Sequence, residues 1–100
     1  MIYITQLIYL KEGQQNIFHQ FEDVAIPLIK KYNGQLLLRI RPDRNSIIQT
    51  NIEDPYEVHL VEFETDSDFK NFMRDEERKQ FLHLKEQSIK AMTLIKGIKI

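Results

Sequence analysis

The chain has 100 residues, with 14 basic and 15 acidic side chains, so its formal net charge is −1. Such a balance gives no general attraction to nucleic acid or to anionic lipid. The chain contains no cysteine, which excludes disulfides, thiol nucleophiles and cysteine-based metal sites and favours a cytoplasmic protein. No signal sequence and no apolar run of about 18 residues is evident, so we expect neither export nor a membrane span.

The first part of the chain predicts a strand, a helix and a second strand. Residues 2–10 are rich in β-branched and aromatic side chains, which are typical of a strand. Over residues 14–32 apolar side chains recur every three or four positions, which indicates one buried face of a helix. We expect Pro27 to kink this helix and Gly34 to end it with a positive φ. Residues 35–41 are the second strand.

A long connection, a third strand, an interrupted helix and a last strand follow. Residues 42–55 contain three isoleucines and are too apolar for a purely solvated loop. They form either a hairpin arm that packs on a partner or extends the strands, or a lid over a ligand. Residues 56–64 are the third strand. Thr65 is an N-cap candidate for a second helical region, which Asp75 and its acidic neighbours interrupt and restart. Residues 92–100 are the last strand.

The element order is therefore βαββαβ, which predicts a ferredoxin-like α+β fold with a four-stranded antiparallel sheet. A chain of 100 residues fits one such domain, so we assign residues 1–100 to it. The strands carry apolar side chains on both parities, whereas a half-buried strand alternates apolar with polar residues. Both faces of the sheet should therefore be covered, and one of them must meet something outside the monomer.

Three stretches also resemble a known group of proteins. They are Lys31-Tyr32-Asn33-Gly34-Gln35-Leu36-Leu37-Leu38-Arg39, Leu60-Val61-Glu62-Phe63-Glu64-Thr65 and Asp75-Glu76-Glu77-Arg78. Together they resemble a small, largely uncharacterised bacterial family of the dimeric α/β-barrel superfamily, whose relatives include EthD-like proteins and antibiotic-biosynthesis monooxygenases. The resemblance implies a homodimer in which two sheets face each other and a cleft is enclosed. Several such relatives oxidise or isomerise a substrate there without a cofactor, but no catalytic residue of theirs matches a position in this chain.

Strand parity indicates which side chains line such a cleft. In an antiparallel hairpin of the second and third strands, Arg39 and Arg41 share a face with Leu60 and Glu62. An arginine there can hold a carboxylate or an enolate, and a partly desolvated Glu62 can act as a base. The alternative is a structural ion pair between Arg39 and Glu62 with no ligand.

The first strand adds two tyrosines to the same candidate pocket. Tyr3 and Tyr9 share one parity, and they either line an aromatic pocket for a planar ligand or pack against the partner sheet. The complete candidate pocket is therefore Tyr3, Tyr9, Arg39, Arg41, Leu60 and Glu62.

The histidines do not indicate a metal site, because no two of them have the spacing of a ligand pair on one helix or strand. We expect His19 and His83 to lie at the surface and His59 to lie beneath the helices. The first strand is similar to the first-strand motif of RNA-recognition domains, but the third strand lacks the basic residue, the glycine and the two stacking aromatic residues of the partner motif. We therefore predict no metal, no cofactor and no nucleic acid partner.

No arrangement of residues specifies a reaction. We expect a homodimeric protein of undetermined biochemical role that binds a small organic molecule in a cleft at the sheet and dimer interface. One alternative is a cofactor-independent monooxygenase or isomerase that uses Arg39 and Glu62. The other is an assembly module whose dimer is itself the product and which binds no ligand.

Overall fold

The structure is a computed structural model that describes residues 1–100. In chain order the elements are β1 (Ile2–Leu10), α1 (Gln15–Leu28), a 3₁₀ turn (Ile29–Tyr32), β2 (Gly34–Ile40), a second 3₁₀ turn (Arg44–Ser46), β3 (Glu57–Phe63), α2 (Asp66–Met73), α3 (Glu76–Gln80), α4 (Leu82–Ser88) and β4 (Ile89–Gly97). This order confirms the predicted βαββαβ arrangement, with the second helical region divided into three short helices.

The four strands form one antiparallel sheet in the order β2-β3-β1-β4. The central strand β1 pairs with β3 on one side and with β4 on the other. This is the sheet of a ferredoxin-like α+β fold, so the predicted fold class is confirmed. The last strand begins at Ile89, earlier than predicted, because α4 ends directly at Ser88 and no loop separates the two elements.

The helices cover one face of the sheet and leave the other face open. The covered face and the helices above it share the buried apolar core, which comprises Ile4, Ile8, Phe18, Phe21, Ala25, Ile29, Val61 and Phe63. Full burial of a large apolar side chain contributes about 1.5–3 kcal/mol, so this layer is a main source of stabilisation. On the open face Leu38, Ile40 and Ile95 are 47%, 44% and 54% exposed. The apolar second face that the sequence predicts is therefore uncovered in the single chain.

A β-bulge in β2 changes which of its residues face the helices. The pairing of β2 with β3 shifts between Leu36 and Leu38, so Leu37 is an extra residue. Because side chains alternate along a strand, one extra residue reverses the parity of every residue after it. Arg39 therefore lies opposite His59, on the helix side of the sheet. The predicted parity, which placed Arg39 on the open face, is wrong for this reason.

Side-chain caps begin the helices in the second half of the chain. Thr65 Oγ1 accepts a hydrogen bond from the Asp68 backbone N–H at 3.1 Å, and Asp75 Oδ1 accepts one from the Arg78 backbone N–H at 2.9 Å. The predicted cap at Thr65 and the predicted interruption at Asp75 are both confirmed. Tyr32 also donates its hydroxyl hydrogen to Asp75 at 2.5 Å, which ties the first 3₁₀ turn to α3.

The connection from α1 to β2 uses Asn33, and not Gly34, as its left-handed residue. α1 tightens into a 3₁₀ turn just after Pro27, which has no N–H to donate to the helix. Asn33 then has a φ of 57°, whereas Gly34 already belongs to β2 and has no positive φ. Asparagine tolerates the left-handed region better than most residues with a Cβ atom. The predicted positive φ at Gly34 is therefore wrong.

Gly34 is nevertheless required, because the core leaves no room for a side chain. A Cβ atom at this position would lie 2.7 Å from Phe63 Cε1 and 2.8 Å from Ile29 Cγ2. We expect Gly34→Ala to lower the free energy of unfolding in urea by about 1–3 kcal/mol. The matched control is Gly97→Ala in β4, where a Cβ atom meets nothing within 4 Å. The control should change the free energy by less than about 0.5 kcal/mol, and equal effects of the two variants would contradict the steric argument.

Candidate functional site

A cavity of about 160 Å³ lies between the sheet and the helices. Its walls are mainly apolar, and its polar lining side chains are Gln6, Glu22, His59, Arg78 and Lys85. Protein cores are normally packed without voids of this size, and a cavity of about 150 Å³ accepts a molecule as large as benzene. Sites for small organic molecules are typically concave and apolar with a few polar groups. The cavity is therefore the strongest candidate for a binding site.

Beside the cavity, a buried carboxylate holds three other side chains. Glu57, at the start of β3, is completely buried. Its Oε1 accepts a hydrogen bond from Arg41 Nε at 2.8 Å, and its Oε2 accepts one from Arg39 Nε at 3.0 Å. His59 contacts the same Oε2 with Nε2, and because an ionised carboxylate can only accept, the histidine donates. We call these four residues the Glu57 cluster.

The two buried carboxyl groups at this place have opposite pKa shifts. Burial raises the pKa of Glu57, but hydrogen bonds from His59, Arg39 and Arg41 together outweigh burial and bring the pKa down to about 2. Burial also raises the pKa of Glu22, to about 7, although the neighbouring His59 opposes that shift. Near neutral pH Glu57 is thus ionised, while Glu22 is present in both protonation states. Glu22 is therefore the carboxyl group that can act as an acid or a base.

Glu22, Glu57 and His59 also offer ligand atoms that all lie within 4.8 Å of one another. Carboxylate oxygens and imidazole nitrogens are common ligands of divalent cations. Both oxygens of Glu57 already accept hydrogen bonds from arginine, however, so a cation would have to displace at least one guanidinium group. Glu22 Oε1 lies 3.8 Å from His59 Nε2, which is too far for a hydrogen bond. The predicted absence of a metal stays a prediction.

The predicted pair of Arg39 with Glu62 does not form. Arg39 binds Glu57 instead, because the bulge at Leu37 places Arg39 on the helix side of the sheet. Glu62 pairs in register with Tyr3 and lies on the open face. The acidic partner of Arg39 is therefore Glu57, and the predicted pair with Glu62 is wrong.

The other members of the predicted pocket divide between two places. Tyr3, Leu60 and Glu62 are partly exposed on the open face, whereas Tyr9, which shares the parity of Tyr3, is buried. Arg41 belongs to the Glu57 cluster. None of the six predicted residues lines the cavity between the sheet and the helices. A pocket made by the open-face members needs a second sheet to enclose it.

The histidines occupy three different environments. His59 is buried beneath the helices, as predicted, and His83 is exposed, with its ring stacked on Phe81. His19 is only partly exposed, because its Nε2 lies 2.7 Å from the hydroxyl oxygen of Tyr56, the residue just before β3. His19 thus keeps the predicted position at the surface, where it also contacts Tyr56.

Sequence reasoning missed four charged residues at or beside the cavity: Glu22, Glu57, Arg78 and Lys85. Two of them carry a signal in the sequence. Glu22 follows Phe18 by four positions on α1 and so interrupts the apolar stripe, and Glu57 shares the parity of His59 on β3. A charged residue at a position that should be buried is a stronger pointer to a site than any exposed charge.

The fold and the cavity together define a ferredoxin-like α+β protein with a pocket between its sheet and its helices. No family model matches the chain, and no curated protein matches it. Among solved structures, a protein of unknown function from Rhodopseudomonas palustris, RPA0582, superposes with a TM-score of 0.84 at 13% identity, over 99% of this chain and 82% of that one.

Proteins described as NIPSNAP-like recur among the similar structures. A nipsnap family protein of unknown function from Agrobacterium tumefaciens, Atu4242, superposes with a TM-score of 0.69 at 21% identity, over 97% of this chain and 86% of that one. At3g17210 from Arabidopsis thaliana superposes with a TM-score of 0.77 at 10% identity, over 100% of this chain and 96% of that one. At such identities the comparisons show a shared fold alone. No helix of the chain combines the length and the apolar composition that a membrane span requires.

Proposed function

We propose that this protein is a homodimer that binds a small organic molecule in the cavity between its sheet and its helices. The observation that carries the proposal is the cavity itself, which has a volume of about 160 Å³, mainly apolar walls and a few polar groups. An unfilled apolar cavity costs stability in proportion to its volume, so a protein with no use for the space would gain by filling it. The polar side chains on its wall can orient a ligand.

Ala25, a buried residue of α1 on the cavity wall, provides the test. We expect at least one member of a library of single-ring and short-chain compounds to raise the thermal stability of the wild-type protein, since a ligand at a hundred times its dissociation constant adds about 2.7 kcal/mol. Ala25→Leu should abolish this stabilisation because it fills part of the cavity, and it should lower the free energy of unfolding by no more than the roughly 1–3 kcal/mol of added core methylenes.

The control for that experiment is Val24→Leu, a smaller enlargement by one carbon atom at the neighbouring position of α1, which does not line the cavity. This variant should keep the stabilisation. Ligand-induced stabilisation that persists in Ala25→Leu would place the binding site elsewhere. A wild-type protein that no compound stabilises would favour the assembly module, in which the dimer has no ligand.

The open face of the sheet supports the homodimer. Leu38, Ile40 and Ile95 are all more than 40% exposed there, beside Val58 and Leu60. Monomers rarely leave a contiguous apolar patch larger than a few hundred Å² in water. The molecule is a flat slab, with principal extents of 36 × 35 × 16 Å, so the sheet is broad enough for the roughly 1,000 Å² of a specific interface. Two copies packed sheet to sheet form the dimeric α/β barrel that the resemblance implies.

Leu60→Asp tests the dimer by placing a charge on the open face. We expect the wild-type protein to sediment as a dimer at micromolar concentration, and the variant to sediment as a monomer or to aggregate, because a carboxylate buried without a partner is strongly unfavourable. Gln20→Asp introduces the same charge on the exposed side of α1 and should leave the dimer intact. A wild-type protein that sediments as a stable monomer would contradict the proposal.

Glu22 supports a second candidate function, which is proton transfer without a cofactor. A cofactor-independent isomerase moves a proton between two positions of its substrate, and such a step is best served by a group whose pKa lies near the working pH. Glu22 lines the cavity and has a pKa of about 7. The resemblance to EthD-like proteins and antibiotic-biosynthesis monooxygenases also implies chemistry without a cofactor, but it assigns no role to Glu22.

Hydrogen exchange tests this second candidate. Any compound that binds the cavity is incubated in D₂O with the wild-type protein or with Glu22→Gln, and its C–H signals are followed by NMR. Faster exchange with the wild-type protein than with the variant supports catalysis by Glu22. Equal rates with the two proteins would show that the cavity binds its ligand without reacting with it.

A further inference from the structure

A buried arginine on the cavity wall has no acidic partner. Arg78, on α3, is only 6% exposed. Its Nη1 donates a hydrogen bond to the backbone oxygen of Met73 at 3.2 Å, but its Nε is buried and has no partner. The guanidinium group makes no ion pair and lies instead over the rings of Phe21 and Phe72, 5.6 and 5.2 Å from their centroids.

This arrangement leaves the most useful edge of the guanidinium group of Arg78 free. The Nε–H and the nearer Nη2–H point in parallel, and together they bind a carboxylate through two hydrogen bonds. Neither atom has a hydrogen-bond partner within the chain. Asp75 and Glu22 attract the guanidinium group from a distance, but neither forms an ion pair with it. A buried cation without a contacting counter-charge is unfavourable, and contact with aromatic rings compensates for only part of the cost. An anion at this edge would satisfy both the charge and the unpaired donor.

A second cation lies on the same wall. Lys85, on α4, lines the cavity, is partly buried and forms no ion pair. Burial lowers the pKa of Lys85, and the positive charge of Arg78 lowers it further, which indicates that the two cations share one environment. Glu22 is the one carboxyl group on the wall, and because it is partly protonated near neutral pH, it compensates for only part of their charge. The cavity therefore has an excess of positive charge.

We infer that the ligand of the cavity is a small monocarboxylate with an apolar body, and that its carboxylate group binds Arg78 and Lys85. The inference rests on the proposed function and deepens it by naming the chemical class of the ligand. The apolar body is accommodated by the hydrophobic part of the lining, which includes Ile4, Phe63 and Phe69. The volume of about 160 Å³ limits that body to one ring or a short chain.

Three single-ring compounds of similar size and different charge provide the test: benzoate, benzamide and benzylammonium. Each is titrated into ¹⁵N-labelled wild-type protein at neutral pH, and dissociation constants are taken from the amide signals of cavity residues. We expect benzoate to bind at least about tenfold more tightly than benzamide, and benzylammonium to bind more weakly than either. Benzamide or benzylammonium binding as tightly as benzoate would overturn the inference.

Variants of Arg78 and Lys85 test whether these two cations cause the preference for benzoate. Arg78→Met should remove the preference for benzoate over benzamide, and Lys85→Gln should reduce it several-fold. Lys79→Gln, which removes an exposed charge next to Arg78, should leave it unchanged. Should Arg78→Met fail to fold, Lys85→Gln and Arg78→Lys carry the same comparison. A benzoate preference that is undiminished in the folded variants at both positions would overturn the inference, because the anion would then bind elsewhere.

The outcomes separate this inference from the proposed function. If the compounds that bind the cavity, including those found in the thermal screen, are neutral or cationic, the carboxylate inference is wrong while the binding pocket stands. If no compound of any charge affects the cavity residues, the pocket itself is wrong and the inference fails with it.

Discussion

Glu57→Gln is expected to destabilise the protein by about 3 kcal/mol, measured as the free energy of unfolding in urea at neutral pH. The substitution keeps the shape of the side chain but removes the charge that Arg39, Arg41 and His59 share. It also presents an amide donor to groups that are themselves donors. Losses of about 3–5 kcal/mol are typical when a buried ion pair is broken, and we expect the lower value because both arginines are partly exposed and can turn toward water.

The matched control is Glu53→Gln, whose carboxylate pairs with Lys90 at 2.7 Å on the surface. Exposed pairs of this kind contribute between about 0 and 1 kcal/mol, so the control should be nearly neutral. A double-mutant cycle then identifies the partner of Arg39. Arg39→Met should couple strongly to Glu57→Gln and combine additively with Glu62→Leu, because Arg39 contacts only the first of these carboxylates. A loss below about 1 kcal/mol for Glu57→Gln would contradict a structural role for the cluster.

The sequence is most informative about the elements whose signals are local. β1 has the predicted bounds, because β-branched and aromatic residues continue without a break over residues 2–10. Thr65 and Asp75 are also predictable, since the side chain of each caps the backbone only three residues ahead. The two-sided apolar pattern of the strands likewise anticipates the open sheet face. In each case the physical cause lies within a few residues of its effect.

The bulge in β2 could not be read from the sequence. Positions 36, 37 and 38 are all leucine, so nothing in the sequence pattern identifies the residue that is left unpaired at the bulge. That single residue moves Arg39 from the open face to the helix side and changes its partner. The connection before β2 is similar, because Asn33 and Gly34 can both adopt a positive φ, and only the close approach of Phe63 to Gly34 decides between them.

The cavity depends on distant parts of the chain and was not predictable for that reason. Glu22, His59 and Arg78 lie on α1, β3 and α3, and no spacing along the chain relates them. A polar residue on an apolar stripe, such as Glu22, can be noticed, but its neighbours are known only from the fold. The residues that the sequence favoured were those of the predicted sheet-to-sheet interface, which the homodimer would enclose.

As the pH rises from about 5 to about 8, the free energy of unfolding of the wild-type protein should fall by about 3 kcal/mol relative to that of Glu22→Gln. Burial raises the pKa of Glu22 from 4.5 to about 7 in the folded state. Between these values the folded chain holds a proton that the unfolded chain has released, so the stabilisation is complete below pH 4.5 and is lost as the pH rises through 7. Glutamine keeps the neutral form at every pH. The free energy of unfolding of the variant should therefore rise relative to that of the wild-type protein across this pH range.

Urea unfolding of the wild-type protein and of Glu22→Gln at successive pH values measures this difference, and the subtraction removes the titration of all other groups. Glu57 does not interfere, because its pKa is lowered to about 2 and its own contribution is lost only in acid below about pH 4.5. The matched control is Asp23→Asn, at the exposed position next to Glu22, whose difference from the wild-type protein should stay constant over the same window. A constant difference for Glu22→Gln as well would show that Glu22 titrates as an ordinary carboxyl group, and would remove the basis for an acid or base in the cavity.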